Sequence, residues 1–242
     1  MSTDPVGFTA VSRTAFLPHA VAFDIIETVF PLEPLREPLA AWGLPLEALD
    51  TWFAAALRDA FALAVVEDFK PFPQVLQSAL KQILAIHALD VPEDRQSALI
   101  QRMASLPCRP DAVRAFSLLQ ARGIPVIALS NGSAATTGAM LKGAGLDGFV
   151  DHVVSVDDVQ RSKPHREVYW HAARIADIAP ADLALIAVHP WDVNGAKAAG
   201  LTTGYVSLGR PFSNVMNAPD VVGDGLDDVV QAILSLAPRP AS

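Results

Sequence analysis

The order of apolar runs along the chain is the feature that most limits its fold. Five short runs have strand character and little alternation, namely AVAFDII (20–26), IPVIAL (124–129), DHVVSV (151–156), LALIAVH (183–189) and TTGYVSL (202–208). Continuous apolar runs are typical of central parallel strands that are covered on both faces. Helical patterns separate the later runs, so the sequence predicts an α/β fold with a doubly wound parallel sheet and right-handed crossovers.

One long interval interrupts this alternation. Between about Pro31 and Leu106 helical periodicity dominates, and the interval contains no strand run. Such a block cannot lie within a parallel sheet, so we predict an α-helical cap domain at residues 33–106, inserted after the first strand. Residues 1–32 and 107–242 then form the core domain. Prolines 31, 34, 107 and 110 mark the two hinges.

Composition excludes several classes of protein. Hydrophobic residues make up 51% of the 242 residues, yet no stretch approaches the roughly 18 unbroken apolar residues of a membrane span. The net charge of -8 and the lack of a Lys/Arg stripe argue against nucleic acid. The first twenty residues, interrupted by Asp4, Pro5, Gly7 and Arg13, carry no signal pattern, which predicts a cytoplasmic protein. The single cysteine, Cys108, is expected to pack rather than react.

Polar side chains stand where the predicted strands end, and ligands bind at the carboxyl ends of strands in an open parallel sheet. A carboxylate in such a buried place is costly unless it is hydrated, paired or used. Two acids, a lysine and a hydroxyl–amide pair would converge there: Asp24 and Thr28, Ser130 and Asn131, Lys163, then His189, Trp191 and Asp192. Each also has an ordinary alternative, as a helix cap or a loop residue.

These residues form four motifs: DxxxT at 24–28, LSNG at 129–132, SVDDVQRSKP at 155–164 and HPWDVNGAKAAG at 189–200. In this order they resemble the haloacid dehalogenase superfamily, and within it the L-2-haloacid dehalogenase (type II) group. The resemblance covers nearly the whole chain. It implies a Rossmann-like core with a helical cap, and hydrolysis of short 2-haloalkanoic acids to 2-hydroxy acids without a cofactor or metal. The partner is then a small halogenated carboxylic acid, and a homodimer is an open expectation because type II relatives are often dimers.

The resemblance also implies roles for individual residues. Asp24 would attack the carbon that bears the halogen and form an ester. Lys163 would keep Asp24 ionised and pair with Asp192, which would orient the hydrolytic water. Thr28 and Ser130 would hydrogen-bond carboxylate oxygens.

The departing halide needs donors of its own. Arg58, in the LRDAF stretch of the predicted cap, resembles the arginine that receives the halide in type II enzymes, and Asn131 resembles the second donor. Arg36 is the rival of Arg58. Trp191 and Phe69 would supply apolar walls.

Two single residues and one three-residue stretch differ from patterns common in the superfamily. Ile26 stands where phosphatases of the superfamily carry a second aspartate, and it cannot protonate a leaving alcohol, whereas halide needs no proton. Glu27 stands where relatives commonly have glycine. Ala187, Val188 and His189 replace a Ser-Ser-Asn stretch, and His189 is expected to substitute by donating to the ester or by deprotonating water.

Two alternatives stay open at this stage. In a magnesium-dependent phosphatase, Asp24, the carbonyl of Ile26 and Asp192 would hold the metal. Alternatively, the chain is a catalytically weak relative whose cap binds a metabolite or a partner. Release of halide or of phosphate would distinguish these possibilities.

Overall fold

Every neighbouring pair of strands in the central sheet runs parallel. The structure, a computed structural model, describes residues 15–240. The strand order is β3-β2-β1-β4-β5-β6, which confirms the predicted doubly wound parallel sheet. The strands are β1 (Ala20–Asp24), β2 (Val126–Ser130), β3 (His152–Ser155), β4 (Leu183–Ala187), β5 (Thr202–Val206) and β6 (Val221–Gly223).

Helices cover both faces of the sheet and fill the interval between β1 and β2. That interval, residues 33–106, is called the cap segment below. It contains α1 (Arg36–Ala40), α2 (Ala48–Val65), α3 (Phe72–Ile86) and α4 (Glu93–Gln101), and it contains no strand. The remaining helices are α5 (Ala112–Gln120), α6 (Ala134–Gly143), α7 (Arg166–Ile175), α8 (Pro190–Ala198) and α9 (Leu226–Leu234). The helical character predicted for the interval is confirmed, while its limits as a separate domain stay a prediction.

β1 is buried on both faces because its alternate side chains enter two hydrophobic clusters. Val21 and Phe23 join a cluster with α5, α9 and the cap segment. Ala20 and Ala22 join a second cluster with α7 and α8. Burial of this kind contributes about 1.5–3 kcal/mol for each large side chain. The continuous apolar run of β1 therefore follows from two covered faces, and it places Asp24 at the carboxyl edge of the sheet.

The cap segment packs through apolar helix faces. In α3 the buried side chains recur at helical spacing, as Val75, Leu76, Ala79, Leu80 and Ile83. The indole of Trp52 in α2 is buried and donates from Nε1 to the carbonyl of Leu76 at 2.8 Å. Since these side chains share one cluster with β1 and β2, the cap segment lies against the core rather than apart from it.

The sequence did not predict every element, and some residues named above lie outside the described part of the chain. β6 and α9 were not predicted. β6 has only three residues and is partly exposed, so it lacks the buried apolar run of the other strands. Cys108 packs against the large cluster, as expected. Asp4, Pro5, Gly7 and Arg13 lie outside the described residues. Among residues 15–240, none of the helices is long and apolar enough to cross a membrane.

Candidate active site

Both carboxylate oxygens of Asp24, the last residue of β1, have hydrogen-bond partners. Its Oδ1 accepts a hydrogen bond from Lys163 Nζ at 3.0 Å. Its Oδ2 accepts one from Thr28 Oγ1 at 2.6 Å and lies 3.0 Å from His189 Nδ1. The residue is only 4% exposed. The structure thus brings together four residues that were predicted to meet.

Lys163 joins the two predicted acids. Its Nζ donates to Asp24 and, at 2.9 Å, to Asp192 Oδ2, and the residue is fully buried. Burial lowers the pKa of the Lys163 ammonium, but the charges of Asp192 and Asp24 outweigh burial and raise that pKa above its ordinary value. Lys163 therefore stays charged at neutral pH and provides the cation that two buried carboxylates require.

The two acids differ in their acidity. Burial alone would raise the pKa of Asp24, but the charge of Lys163 and hydrogen bonds from His189 and Thr28 bring it well below its ordinary range. Burial raises the pKa of Asp192 above its ordinary value, the charge of Asp24 adds to the rise, and Lys163 and Tyr169 oppose it. Of the coupled pair, Asp24 is the carboxylate held ionised, as a nucleophile requires.

Tyr169, on α7, is a site residue that the sequence analysis did not identify. Its hydroxyl donates to Asp192 Oδ1 at 2.6 Å and is fully buried. Asp192 is thereby bonded through both oxygens. Gly195 allows this packing, because a Cβ there would lie 2.7 Å from the Tyr169 hydroxyl and 2.5 Å from Cβ of Pro164. The only hint in the sequence was an apolar helical pattern around Tyr169, which also fits plain core.

The loop that follows Asp24 is fixed by contacts from two directions. Thr28 Oγ1 accepts from the backbone N–H of Val188 at 3.1 Å, which links the end of β1 to the end of β4. Arg109 donates from Nε to the carbonyl of Thr28 at 2.9 Å and from Nη2 to that of Glu27 at 2.8 Å. Glu27 has φ of 70°, a region that favours glycine. That conformation would suit the glycine that the resemblance predicts at this position.

Glu27 remains in this conformation because its side chain is also bonded. Its Oε1 accepts from the backbone N–H of Leu32. A non-glycine residue in the left-handed region costs on the order of 1–2 kcal/mol, which such bonds offset.

His189 is held between aromatic rings. Its imidazole stacks on the indole of Trp191, with ring centroids 5.1 Å apart and planes at 26°. On the other side lies Phe53 of α2, at 5.9 Å. Trp191 in turn meets the edge of Phe61 at 5.1 Å. The cap segment therefore supplies two of the four rings in this cluster, Phe53 and Phe61, and His189 connects the cluster to Asp24.

Ser130 and Asn131, at the end of β2, are both buried and support neighbouring backbone. Ser130 Oγ accepts from the N–H of Gly132 at 2.9 Å. Asn131 Oδ1 accepts from the N–H of Lys163 at 3.0 Å and so positions the lysine. Whether Asn131 also meets halide stays a prediction.

The cap arginines do not take the predicted positions. Arg58 lies on the surface of α2, with 65% of its side chain exposed, and donates to Asp59 at 2.7 Å and to Gln82. This position corrects the expectation that Arg58 receives the halide. Helical spacing could not show which side of α2 faces the core. Its rival, Arg36, is bound by Glu33 and Asp50.

Phe69 does not lie where an apolar wall for the substrate was predicted. It packs beside the hydrophobic cluster that contains Ala20 and Ala22 and does not line either cavity next to the site. It acts as a packing residue rather than as a wall for substrate.

Two cavities are lined by residues that neighbour Asp24. An apolar one of about 230 Å³ lies between the cap segment and the core, and its lining includes Ile26, Phe72, Met103, Ser130 and Met140. A larger, more polar one of about 430 Å³ has a separate lining, which includes Glu27, Phe53, Arg109, His189 and Arg210.

The residues present do not fit a metal site. All four carboxylate oxygens of Asp24 and Asp192 already accept bonds from Lys163, Thr28, His189 or Tyr169. A divalent cation would have to displace the buried ammonium of Lys163 to bridge the two acids. No group of three or more His, Cys, Asp or Glu residues able to hold a metal occurs in the described part of the chain.

Comparison with known proteins gives a consistent result. The model of the haloacid dehalogenase-like hydrolase family matches residues 18–200. An (S)-2-haloacid dehalogenase of Pseudomonas sp. (strain YL) is 29% identical over 220 residues, covering 87% of this chain and 92% of the relative. Haloacetate dehalogenase H-2 of Moraxella sp. (strain B) is 26% identical over 220 residues, covering 89% and 97%.

Solved structures of L-2-haloacid dehalogenases are also similar to this chain. The crystal structure of an L-2-haloacid dehalogenase is 28% identical, with a TM-score of 0.83, covering 92% of this chain and 100% of the other. The L-2-haloacid dehalogenase of Xanthobacter autotrophicus, 24% identical, shares the fold at a TM-score of 0.83 and covers 91% and 100%. The predicted resemblance is confirmed, and the chain belongs to the haloacid dehalogenase-like hydrolase family.

Proposed function

We propose that this protein hydrolyses 2-haloalkanoic acids to 2-hydroxy acids through an ester on Asp24, with preference for the (S) form. The observation that carries the proposal is the buried Asp24 carboxylate, bonded to Lys163 and flanked by apolar Ile26. A dry, ionised carboxylate is a competent nucleophile toward carbon. The similarity to (S)-2-haloacid dehalogenases supports this choice of substrate.

In the first step, an oxygen of Asp24 bonds to C2 of the substrate while the carbon–halogen bond breaks. The electron pair leaves with the halide, and C2 is inverted. Asn131, buried beside Lys163, is the proposed donor to the halide. No proton is needed at the leaving group, which agrees with Ile26 in the position where an acid would otherwise stand.

In the second step, water attacks the ester carbonyl carbon of Asp24 and releases the 2-hydroxy acid. His189 lies 3.0 Å from Asp24 Oδ2 through Nδ1, and its side chain is 15% exposed. Its other ring nitrogen takes the proton of that water and returns it to the departing alkoxide oxygen. Asp192 is fully buried and bonded to Lys163 and Tyr169, so we assign it to the lysine rather than to water.

A halide and phosphate release assay tests the proposal. The purified protein is incubated with (S)-2-chloropropionate and with a generic phosphate ester, each with and without EDTA. Chloride release that EDTA does not change supports dehalogenation. Metal-dependent phosphate release would support the phosphatase alternative, and release of neither would indicate a binding protein.

A single turnover in heavy-oxygen water tests the intermediate. If the ester forms, the heavy atom enters the Asp24 carboxylate and the first molecule of product carries none. Product labelled in that first turnover would show that water attacks C2 directly and would overturn the covalent route.

A further inference from the structure

The 430 Å³ cavity is lined by arginines that the proposed reaction does not use. Its charged lining residues are three arginines and three acids: Arg36, Arg109 and Arg210, with Glu27, Glu33 and Asp50. The cavity also borders His189, which contacts Asp24. A molecule bound there would therefore lie next to the reacting centre.

Arg36 is already neutralised within the cap segment. Its guanidinium pairs with Glu33 at 2.8 Å and with Asp50 at 3.1 Å, and it also donates to the carbonyl of Leu46. Two carboxylates face its single positive charge and Nε, Nη1 and Nη2 all donate hydrogen bonds, so we do not assign a ligand to it.

Arg109 and Arg210 differ from Arg36 in this respect. Among residues 15–240, no carboxylate lies within ion-pairing distance of either guanidinium. Arg109 is half-buried and fixed through backbone carbonyls, which occupy Nε and Nη2. Arg210 is exposed at the rim of the same cavity.

The acids nearest to Arg109 are held by other donors. Glu27 Oε1 accepts from the N–H of Leu32, and Asp111 Oδ2 accepts from that of Leu226. Burial lowers the pKa of Arg109, these two acids oppose that effect, and Arg210 adds to it. Two guanidinium groups that repel each other beside a cavity favour an anion between them.

The position of Arg109 and Arg210 argues against a role in binding the substrate carboxylate that is attached to the reacting carbon. Arg109 bonds the backbone of Glu27 and Thr28, and it is the Thr28 side chain that contacts Asp24. The guanidinium therefore lies behind the loop and not against the nucleophile. A volume of about 430 Å³ also falls in the range of pockets that hold much larger ligands than a three-carbon acid.

We infer that Arg109 and Arg210 bind a second, distal carboxylate of the substrate, so that the preferred substrates are 2-halo dicarboxylic acids. The inference rests on the proposed function for its reaction but not for its binding site. C2 would lie at Asp24, the chain would pass His189 and Phe53, and the far carboxylate would reach the arginine pair.

The test compares 2-chlorohexanedioate with 2-chlorohexanoate, which has the same carbon count and no distal charge. kcat/KM for chloride release is measured for the wild type, for Arg210→Gln and for Arg174→Gln. Arg174 is a matched control because it is exposed on α7 and pairs with Glu167. Arg109 is left unchanged, since it also holds the loop after Asp24.

We expect the wild type to favour the diacid, and Arg210→Gln to lower the diacid-to-monoacid ratio about tenfold or more, as for a lost charge-assisted hydrogen bond. Arg174→Gln should leave the ratio unchanged. A wild-type preference for the monoacid, or the same ratio in Arg210→Gln as in the wild type, would overturn the inference.

Calorimetric binding of hexanedioate, which has no halogen, separates this inference from the proposed function. Tighter binding to the wild type than to Arg210→Gln would support the anion site even if no haloacid were turned over. Equal binding to both proteins would refute the site even if 2-chloropropionate were hydrolysed.

Discussion

Replacing Lys163 with methionine tests the electrostatic core of the site. Methionine retains most of the apolar stem but removes the ammonium, and it leaves Asp24 and Asp192 buried without a cation. Breaking a buried ion pair by removing one partner costs about 3–5 kcal/mol. Because folded domains are stable by only about 5–15 kcal/mol, we expect a folded but strongly destabilised variant.

The destabilisation should depend on pH with a definite sign. Burial already raises the pKa of Asp192 above its ordinary value in the presence of Lys163, and loss of the ammonium removes a cause that lowers it. Groups with raised folded pKa values contribute stability below the unfolded pKa and lose it as pH rises. The free energy of unfolding of Lys163→Met should therefore fall as pH rises above about 4, the ordinary pKa of an aspartate in the unfolded chain.

Urea denaturation at several pH values measures this effect. Lys142→Met, at an exposed position on α6, is the matched control and should change stability by less than about 0.5 kcal/mol. Adding Asp192→Asn to Lys163→Met should recover about 1–3 kcal/mol, because one of the two unpaired charges is removed. If Lys163→Met were as stable as the control at every pH, the proposed electrostatic arrangement would be refuted.

Four other outcomes are expected. Asp24→Asn should lower halide release by at least about 10³-fold while the fold, followed by circular dichroism, persists, because a carboxamide is a poor nucleophile. His189→Gln should slow ester hydrolysis by about 10²–10⁴-fold, so that intact-protein mass spectrometry detects accumulated ester after one halide is released. Tyr169→Phe should cost about 1–3 kcal/mol in urea denaturation, since the buried Asp192 loses a donor. Because the pKa of Asp24 is lowered, single-turnover halide release should stay constant as pH falls from about 7 to about 5, and a decline would contradict an ionised Asp24.

The fold was predictable because its strong signals are local. Continuous apolar runs located five of the six strands, and helical spacing located the cap segment. β6 gave no such signal, since three partly exposed residues at a sheet edge do not form a hydrophobic run. The strand ends in turn predicted that Asp24, Lys163 and Asp192 would meet, because strand topology alone carries them to one edge.

The rest of the site depends on geometry that spacing does not contain. Arg58 was misplaced because a helix turns about 100° for each residue, and an error of one position redirects the side chain. Tyr169 was overlooked because a buried tyrosine with a polar partner has the same sequence pattern as one without. The role of Glu27 required its φ angle, which no residue type reveals.

Arg109, which follows the cap segment, is bonded to the residues that precede that segment. Its side chain bonds the carbonyls of Glu27 and Thr28, and its backbone N–H donates to that of Val29 at 2.8 Å. The segment that follows β1 and the segment that precedes α5 are thus bonded to each other. We therefore expect that an insertion of another length could replace the cap segment without moving Asp24, because these bonds do not involve residues 33–106.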